Sequence, residues 1–519
     1  MSTASSWTDA TEPRAGRLAE ALRAAADVRA LLAFRSAGLR GRARRLALVG
    51  LATVLTLTVL AGWLPAYLPD TARRTDVLSL LPSAMVGILV IAIVSAAASG
   101  GGRELVPRDQ AVAYPVSTTT DHLGALLMAP LNIAWLLQAW SLLGATAYVA
   151  GAGWGLLLTQ LLVLVWMVTA TALAQVVGWV LEWVRRGPHG TWAARGLMVA
   201  AGLTGAYLVA SDQLVPLLQR SPTLEVAVAA LQGREGITSS YVETLLVLLV
   251  VTAGAVAAGA GVAGAVSRRP ARDELRLESS THHPRPHPAS DLVAMLRTDR
   301  VGIWRSVPLR RGLMVLAVMP GLVAIAGGLQ WEMLPILPGL VASGGALLFG
   351  VNAWCLDGRG ALWRDSLPVE PGLVFLSRVL VLVEVLIVAS FATVVLASLR
   401  AGLPDVDELV AVTAAALVVV LQVVSASLRW SVRRPFGVDL RSARATPAPP
   451  LVMVGYSARL ALSTTLVGLV FSVLVRVSWE WSAAVAVPFL LLSTWRLVRT
   501  ANAWGVPEVR SRVVATVAA

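Results

Sequence analysis

The sequence predicts an all-α polytopic membrane protein with about 12 transmembrane helices, and three observations lead to that fold class. The 519 residues are 56% hydrophobic and only 14% charged, whereas about a quarter of the residues in soluble domains are charged. Apolar runs of about 20 residues recur along the chain, and each is long enough to cross about 30 Å of hydrocarbon. The basic residues concentrate between these runs, so the formal charge of +13 does not indicate a nucleic-acid-binding face.

The apolar runs form two sets of six predicted spans. The first set covers 46–68, 77–98, 123–148, 154–180, 192–210 and 241–266. The second set covers 313–330, 333–356, 373–399, 409–428, 452–475 and 481–497. The fifth and eleventh spans are the weakest, because Arg195 and Arg459 lie near their starts.

The distribution of arginine predicts the orientation of these spans. All 43 basic residues are arginine. With both termini placed in the cytoplasm and the spans alternating, 37 of them fall on the cytoplasmic side. The six on the outer side are Arg73, Arg74, Arg220, Arg234, Arg400 and Arg476. The composition therefore predicts a multi-pass protein of the cell (plasma) membrane.

The predicted organisation has five parts. They are a cytoplasmic amphipathic segment (1–45), a first six-span half (46–266), a cytoplasmic linker with a surface helix (267–311), a second six-span half (312–500) and a cytoplasmic tail (501–519). The early acids, such as Asp9 and Glu12, argue against a cleaved signal peptide. The linker histidines His282, His283 and His287 lie among prolines, which favours a flexible linker over a metal site.

An internal repeat relates the two halves. An arginine-bounded amphipathic run precedes the first span of each half, and Gly-Arg followed by a Pro-Val pair recurs after each second span, about 260 residues apart. Since six spans is an even number, this is a parallel repeat and not an inverted one.

Two polar loops carry a resemblance to a known family. The run GGRELVPRDQAVAYPVS at 101–117 and the run from Asn352 through DGRG to LPVE at 367–370 resemble the loops of ABC-2 type exporter permeases. The chain is most similar to the long actinobacterial form, in which two six-span halves are fused. In that family the segment between the second and third spans of each half docks on the ATPase. The resemblance implies these docking residues: Arg103, Glu104, Arg108, Asp109, Tyr114, Pro115, Asp357, Gly358, Arg359, Trp363, Arg364, Asp365 and Pro368. The residues alone also fit an ordinary interfacial loop with self-paired charges and a tryptophan at headgroup level.

The absence of lysine bears on the energy source. A P-loop requires a lysine, so any ATPase must be a separate chain, and we expect no cofactor on this chain because ATP and Mg would bind the partner. The expected partners are ABC ATPase subunits and membrane lipids, with no nucleic acid. The expected substrate is a hydrophobic or amphipathic small molecule. We expect neither enzymatic activity nor a metal site on this chain, whose one cysteine is Cys355.

A few polar residues within the predicted spans are candidates for a translocation path. They are Glu384, Asn132, Gln138 and Gln422. Glu384 is the one acid well inside a span, and its partner is either Arg378 or a polar group on a neighbouring helix. Interhelical hydrogen bonding is the alternative role for the amides, including Gln160 and Gln175.

Two other functions remain open. The first is a 12-span secondary transporter coupled to protons through Glu384. The second is a membrane-embedded lipid-linked transferase, which needs clustered carboxylates. The acids that could form such a cluster are Asp405, Asp407 and Glu408, and they also fit a simple helix cap.

Overall fold

A computed structural model describes residues 17–37, 41–69, 73–99, 116–131, 133–211, 213–269, 288–358, 360–437 and 450–518. Every regular element in these ranges is helical. The all-α fold class is therefore confirmed, and many of the helices are apolar enough for a membrane.

The described residues up to 269 contain ten α-helices. They are α1 (Arg17–Ala37), α2 (Arg42–Trp63), α3 (Arg73–Ser99), α4 (Thr118–Met128), α5 (Ile133–Ala150), α6 (Leu156–Arg185), α7 (Gly190–Ala210), α8 (Leu214–Gln219), α9 (Thr223–Gln232) and α10 (Ser239–Ser267). The short helices α8 and α9 form the segment that precedes the sixth predicted span. Thr223 ties this segment to α3 by donating a hydrogen bond to the carbonyl of Pro82 at 2.8 Å.

The part of the chain from 288 onward that the structure describes contains nine α-helices. They are α11 (Asp291–Arg305), α12 (Val307–Ala326), α13 (Ile336–Leu348), α14 (Gly360–Asp365), α15 (Pro371–Ala401), α16 (Val406–Arg433), α17 (Pro450–Leu474), α18 (Trp479–Gly505) and α19 (Pro507–Ala518). The starts of several helices follow from local chemistry. Ser290 caps α11 by accepting from the Val293 amide, and Pro371 occupies the first turn of α15, where its missing N–H costs no hydrogen bond.

Eight helices among the described residues are long and apolar enough to cross a membrane, or nine if the pair 291–305 and 309–325, bent by 82°, is one span. The predicted count of twelve is therefore not confirmed. Four predicted spans lack such a helix. One is 313–330, which falls in the bent pair, and the others are 123–148, 192–210 and 452–475. The last three are nevertheless mostly helical, as α4 with α5, α7 and α17.

Two predicted spans need correction. The span 123–148 is not one helix, because α4 ends at Met128 and a 3-10 turn, Ala129–Leu131, separates it from α5. Pro130 lies in that turn and supplies no N–H, so an α-helix does not continue through it. The span 333–356 ends early as well, since α13 stops at Leu348 and a 3-10 turn at Gly350–Asn352 follows.

Helix ends that the arginine count assigned to the outer side meet in space. Arg74 at the start of α3 donates to the Val149 carbonyl at the end of α5 at 2.7 Å. Arg400 at the end of α15 donates to the Ile325 carbonyl at the end of α12. These contacts agree with the predicted alternation of the helices.

Several helix contacts recur in both halves, although the contact of α13 with α17 has no comparable counterpart between α3 and α7 among the described residues. In the first half α2 packs on α5, α3 packs on α5 and α6, and α6 packs on α10. In the second half α12 packs on α15, α13 packs on α15 and α16, and α16 packs on α18. The halves meet where α2 contacts α17 and α3 contacts α12.

The acids at the start of α16 form a helix cap. Asp405 accepts from the Glu408 amide at 2.8 Å, and Glu408 accepts from the Asp405 amide at 2.9 Å, which is a capping box. Asp407 accepts from the Trp479 amide. The interpretation as a helix cap is confirmed for Asp405 and Glu408. No group of three potential metal ligands occurs among the residues that the structure describes.

Candidate functional site

The polar segment between α13 and α15 folds into a compact set of turns. The amide of Asp357 donates to the carbonyl of Trp354, and the amide of Gly360 donates to the carbonyl of Asp357 at 2.8 Å. Gly358 has a φ of 47°, a left-handed conformation that glycine adopts without steric cost. This glycine lets the chain reverse into the short helix α14.

A buried cluster of two arginines and two aspartates holds these turns in place. Arg364 Nη1 on α14 lies 2.6 Å from Asp299 Oδ1 on α11 and 2.9 Å from Asp357 Oδ1. Arg378 Nη2 on α15 lies 2.7 Å from Asp357 Oδ1 and 2.9 Å from Asp299 Oδ1. The side chains of Arg364, Arg378 and Asp299 are at most 5% exposed. We call these four residues the four-residue cluster, and its net charge is zero.

Further hydrogen bonds satisfy some of the polar atoms around this cluster, while the Nε atoms of Arg364 and Arg378 are buried without a hydrogen-bond partner among the described residues. Ser377 donates to Asp299 Oδ2 at 2.8 Å and lies 3.2 Å from Arg364 Nη2. Arg378 Nη1 donates to the carbonyl of Ala353 at 2.6 Å. A buried charge is costly unless it is paired and hydrogen-bonded. Breaking these ion pairs would therefore be costly, and they hold α11, the turns and α15 together.

The pKa values at the cluster have directions that follow from these contacts. Burial raises the pKa of the Asp299 carboxyl, but the nearby charge of Arg378 and the hydrogen bond and charge of Arg364 more than offset it, so the net shift is downward. Burial lowers the pKa of the Arg364 guanidinium, and the opposing attraction of Asp357 and Asp299 leaves it raised. Both residues therefore stay ionised.

The C-terminal helix α19 covers one side of the turns. Arg510 on α19 lies 2.9 Å from Asp365 Oδ1, and Val513 and Val517 are buried. Trp504 at the end of α18 stacks on Trp354, with 4.0 Å between ring centroids. A cavity of about 280 Å³ remains between α19 and the segment, lined by Arg364, Pro368, Arg510 and their neighbours.

The opposite face of α14 points outward. Leu362 is 59% exposed and Trp363 is 63% exposed. Two adjacent apolar side chains are thus displayed at the end of the bundle, while the next residue, Arg364, anchors the helix inside.

The predicted docking residues have three different outcomes. Arg364 and Asp357 are not available to a partner, because their charges are paired within the four-residue cluster, and Asp365 is paired with Arg510. For these three residues the structure shows the self-paired charges that the alternative interpretation, an ordinary interfacial loop, predicts. Trp363 is exposed, Gly358 forms the turn, and Pro368 lines the cavity without starting α15, which begins at Pro371.

Several predicted docking residues lie outside the described residues. They are Arg103, Glu104, Arg108, Asp109, Tyr114, Pro115 and Arg359. Their role in docking stays a prediction, as does the role of the segment as a whole.

Glu384 lies well inside α15, as predicted, 13 residues after Pro371 in a helix long and apolar enough to span a membrane. Its side chain is nevertheless not in the interior of the bundle, because it is 43% exposed. Its Oε2 lies 2.8 Å from Arg300 Nη2 on α11. Of the two predicted partners, the polar group on a neighbouring helix is therefore the one observed, and Arg378 is not.

The other candidates for a translocation path form no hydrogen bond with Glu384 among the described residues. Gln138 is half-buried on α5 in the first half, Gln422 is half-buried on α16, and Asn132 lies outside the described residues. Gln160 on α6 instead donates to the carbonyls of Gly62 and Leu143, each at 3.0 Å. Interhelical hydrogen bonding is confirmed for Gln160.

Sequence reasoning missed Asp299 and Ser377, and it named Arg378 only as one of two alternative partners of Glu384, whereas Arg378 pairs with the two aspartates. A signal for Asp299 was present, because Met295, Asp299 and Ile303 recur at every fourth position and are the buried residues of α11. An acid on the apolar face of an amphipathic helix requires a buried cation.

No family, curated protein or solved structure matches this chain in comparisons with known proteins. The function is therefore inferred from the geometry and the sequence pattern.

Proposed function

We propose that this chain is the membrane permease of an ATP-driven exporter of the ABC-2 type and that a separate chain hydrolyses ATP. The observation that carries the proposal is the helix α14. It displays Leu362 and Trp363 to the exterior and is anchored through Arg364 to α11 and α15. A motor protein needs such a surface, one that is exposed on one side and rigidly joined to long helices on the other.

The ion pairs of Arg364 suggest how a displacement of α14 would be transmitted to the long apolar helices. Arg364 and Arg378 share both aspartates, so α14 cannot shift without moving the start of α15. The helix α15 packs along α12, where Thr393 donates to the carbonyl of Ala317 at 2.9 Å and Arg400 donates to that of Ile325. Displacement at α14 would then tilt α15 together with α12.

The recurrence of several helix contacts in both halves supports a duplicated permease. Equivalent helices contact one another in the same order, from α2 on α5 and α12 on α15 to α6 on α10 and α16 on α18. Under this proposal, 46–266 and 312–500 are parallel six-span halves of a 12-span fold. The arginine-rich ends with both termini face the cytoplasm, and the membrane is the plasma membrane.

The partner would supply the nucleotide chemistry. ATP and Mg would bind the ATPase subunits, since this chain contains no lysine for a P-loop. The many apolar residues within the spans suit a hydrophobic or amphipathic small-molecule substrate.

Substitution of the exposed pair on α14 tests this proposal. We expect Leu362→Ser with Trp363→Ala to reduce co-purification of an ATPase with the tagged chain at least about tenfold, because buried aromatic anchors dominate such interfaces. The measurement is ATP hydrolysis and subunit stoichiometry in the purified complex.

The matched control is Trp192→Ala on α7, which removes a tryptophan that is 73% exposed. We expect it to leave association unchanged. Retention of the ATPase by the α14 variant, with thermal stability unchanged, would overturn the docking role of α14. Absence of any co-purifying ATPase from the wild-type preparation would count against the exporter.

A further inference from the structure

Five arginines on three helices of the second half lie near one another without an acidic partner. Arg429 and Arg433 are one turn apart on α16, Arg496 and Arg499 share a face of α18, and Arg459 lies on α17. The starts of α16 and α18 meet where Asp407 accepts from the Trp479 amide. Ser427 on α16 lies 2.8 Å from the Tyr456 hydroxyl on α17, so the five arginines lie at a similar level of three helices in contact. None of the five forms an ion pair with another residue in the described ranges. We call them the arginine cluster.

The local sequence cannot neutralise this charge. Between residues 409 and 507 the acids are Asp439 and Glu480, against nine arginines. Glu480 lies at the start of α18, far from Arg496, and Asp439 lies outside the described residues. One carboxylate can neutralise only one of five guanidinium groups.

The position of the arginine cluster along its helices indicates which layer of the membrane surrounds it. Arg496 follows Trp479 by 17 residues, about 26 Å along α18, and Arg459 precedes Leu474 by 15 residues, about 22 Å along α17. The hydrocarbon layer is about 30 Å thick. The guanidinium groups therefore reach the edge of the hydrocarbon, where lipid phosphates lie and where long basic side chains extend their charge.

We propose that the arginine cluster binds the phosphate of an anionic phospholipid. A guanidinium group donates two parallel hydrogen bonds to a phosphate, and basic pockets between membrane helices bind anionic headgroups. The exposed side chains of Leu491 and Val498 on α18 provide an apolar surface for the acyl chains. Trp495, 56% exposed and 5.6 Å from Arg499, fits the headgroup level. Inorganic phosphate offers the same oxygens but no acyl chains.

The experiment compares lipid retention by three purified forms of the full chain. They are the wild type, the variant Arg459→Gln with Arg496→Gln and Arg499→Gln, and a control with Arg195→Gln, Arg268→Gln and Arg305→Gln. The control loses the same charge at three exposed positions scattered over other elements. Retention of phosphatidylglycerol against phosphatidylcholine is measured by native mass spectrometry, and binding by thermal shift upon titration.

We expect the wild type and the control to retain phosphatidylglycerol equally, and the cluster variant to bind it about tenfold more weakly or worse. Millimolar inorganic phosphate should not shift the wild-type melting temperature. Equal retention by all three forms would overturn the proposal, and equal weakening in the control would reduce it to general surface charge. Stabilisation by inorganic phosphate equal to that by the lipid would overturn the lipid assignment.

A second variant keeps the test decisive if three glutamines impair folding. Replacing the same three arginines with lysine preserves the charge but removes the bidentate geometry. We expect this variant to fold and to bind phosphatidylglycerol more weakly than the wild type does. We also expect it to bind phosphatidylglycerol more tightly than it binds phosphatidylcholine in otherwise identical vesicles. Equal affinity for the two lipids would contradict the proposal.

Discussion

At the residue scale, Asp299 links several parts of the second half, because its carboxylate contacts both buried arginines and a serine hydroxyl. Removing its charge leaves two guanidinium groups in the cluster with one carboxylate. An uncompensated buried charge costs about 3–5 kcal/mol, far more than a surface ion pair.

We expect Asp299→Asn to lower the free energy of unfolding by about 3–5 kcal/mol and to loosen α11 from α15. The double variant Asp299→Asn with Arg364→Met should recover part of the loss, since the remaining pair, Asp357 and Arg378, is balanced. The measurement is unfolding in detergent for the single and double variants. The pairing of Asp299 with Arg364 would be contradicted if the double variant lost at least as much free energy of unfolding as the two single variants lose together.

The pH dependence provides an internal check on this prediction. The pKa of Asp299 is lowered by folding, so its stabilisation is fully present above the unfolded pKa, about 3.9, and is lost as the pH falls through the lower folded value. The stability difference between the wild type and Asp299→Asn should therefore be constant from pH 5.5 to 8. A difference that varied with pH in this window would mean that another group titrates.

The helix α19 shows how a short amphipathic element completes the site at the element scale. It contributes one ion pair, Arg510 with Asp365, and a buried apolar face that contains Val513 and Val517. Burial of each such side chain stabilises by about 1.5–3 kcal/mol, whereas a partly exposed ion pair contributes about 0–1 kcal/mol.

We expect Arg510→Gln to change stability by at most about 1 kcal/mol, and Val513→Asp to detach α19 because it places an unpaired charge in its buried face. Trp504 fluorescence should then report solvent exposure. Equal effects of the two variants would show that α19 is held by charge and not by its apolar face.

The energy source is a property of the whole molecule. Glu384 is the residue on which a proton-coupled transporter would depend, but it pairs with Arg300 on α11 and forms no hydrogen bond with Gln138 or Gln422 among the described residues. The exporter proposal requires no proton movement through it.

We therefore expect Glu384→Gln to leave ATP hydrolysis by the purified complex within about twofold, the range of a partly exposed ion pair. Proteoliposomes with a pH gradient should show no proton flux through the wild type. Arg400→Gln, at the other end of α15, serves as a control for loss of one charge on the same helix. Proton flux that the wild type supports and Glu384→Gln abolishes would favour the secondary transporter.

The sequence by itself determined the all-α class, most of the helical segments and the position of the polar segment between α13 and α15. These properties follow from local hydrophobicity and from proline and glycine, which act within a few residues. The cap formed by Asp405 and Glu408 could be read for the same reason. The break at Pro130 was also readable from the sequence, although the prediction ran one span through it.

Only the tertiary structure decided which charges in that segment face outward and which are buried. Arg364 and Trp363 are adjacent in sequence, yet one is paired inside with Asp299 and the other is exposed. Two partners of Arg364, Asp299 and Ser377, lie 65 residues before it and 13 after it along the chain, and no local pattern specifies which distant helices will meet. Burial forces each charge to find a counter-charge, and the packing of α11, α14 and α15 determined which one it found.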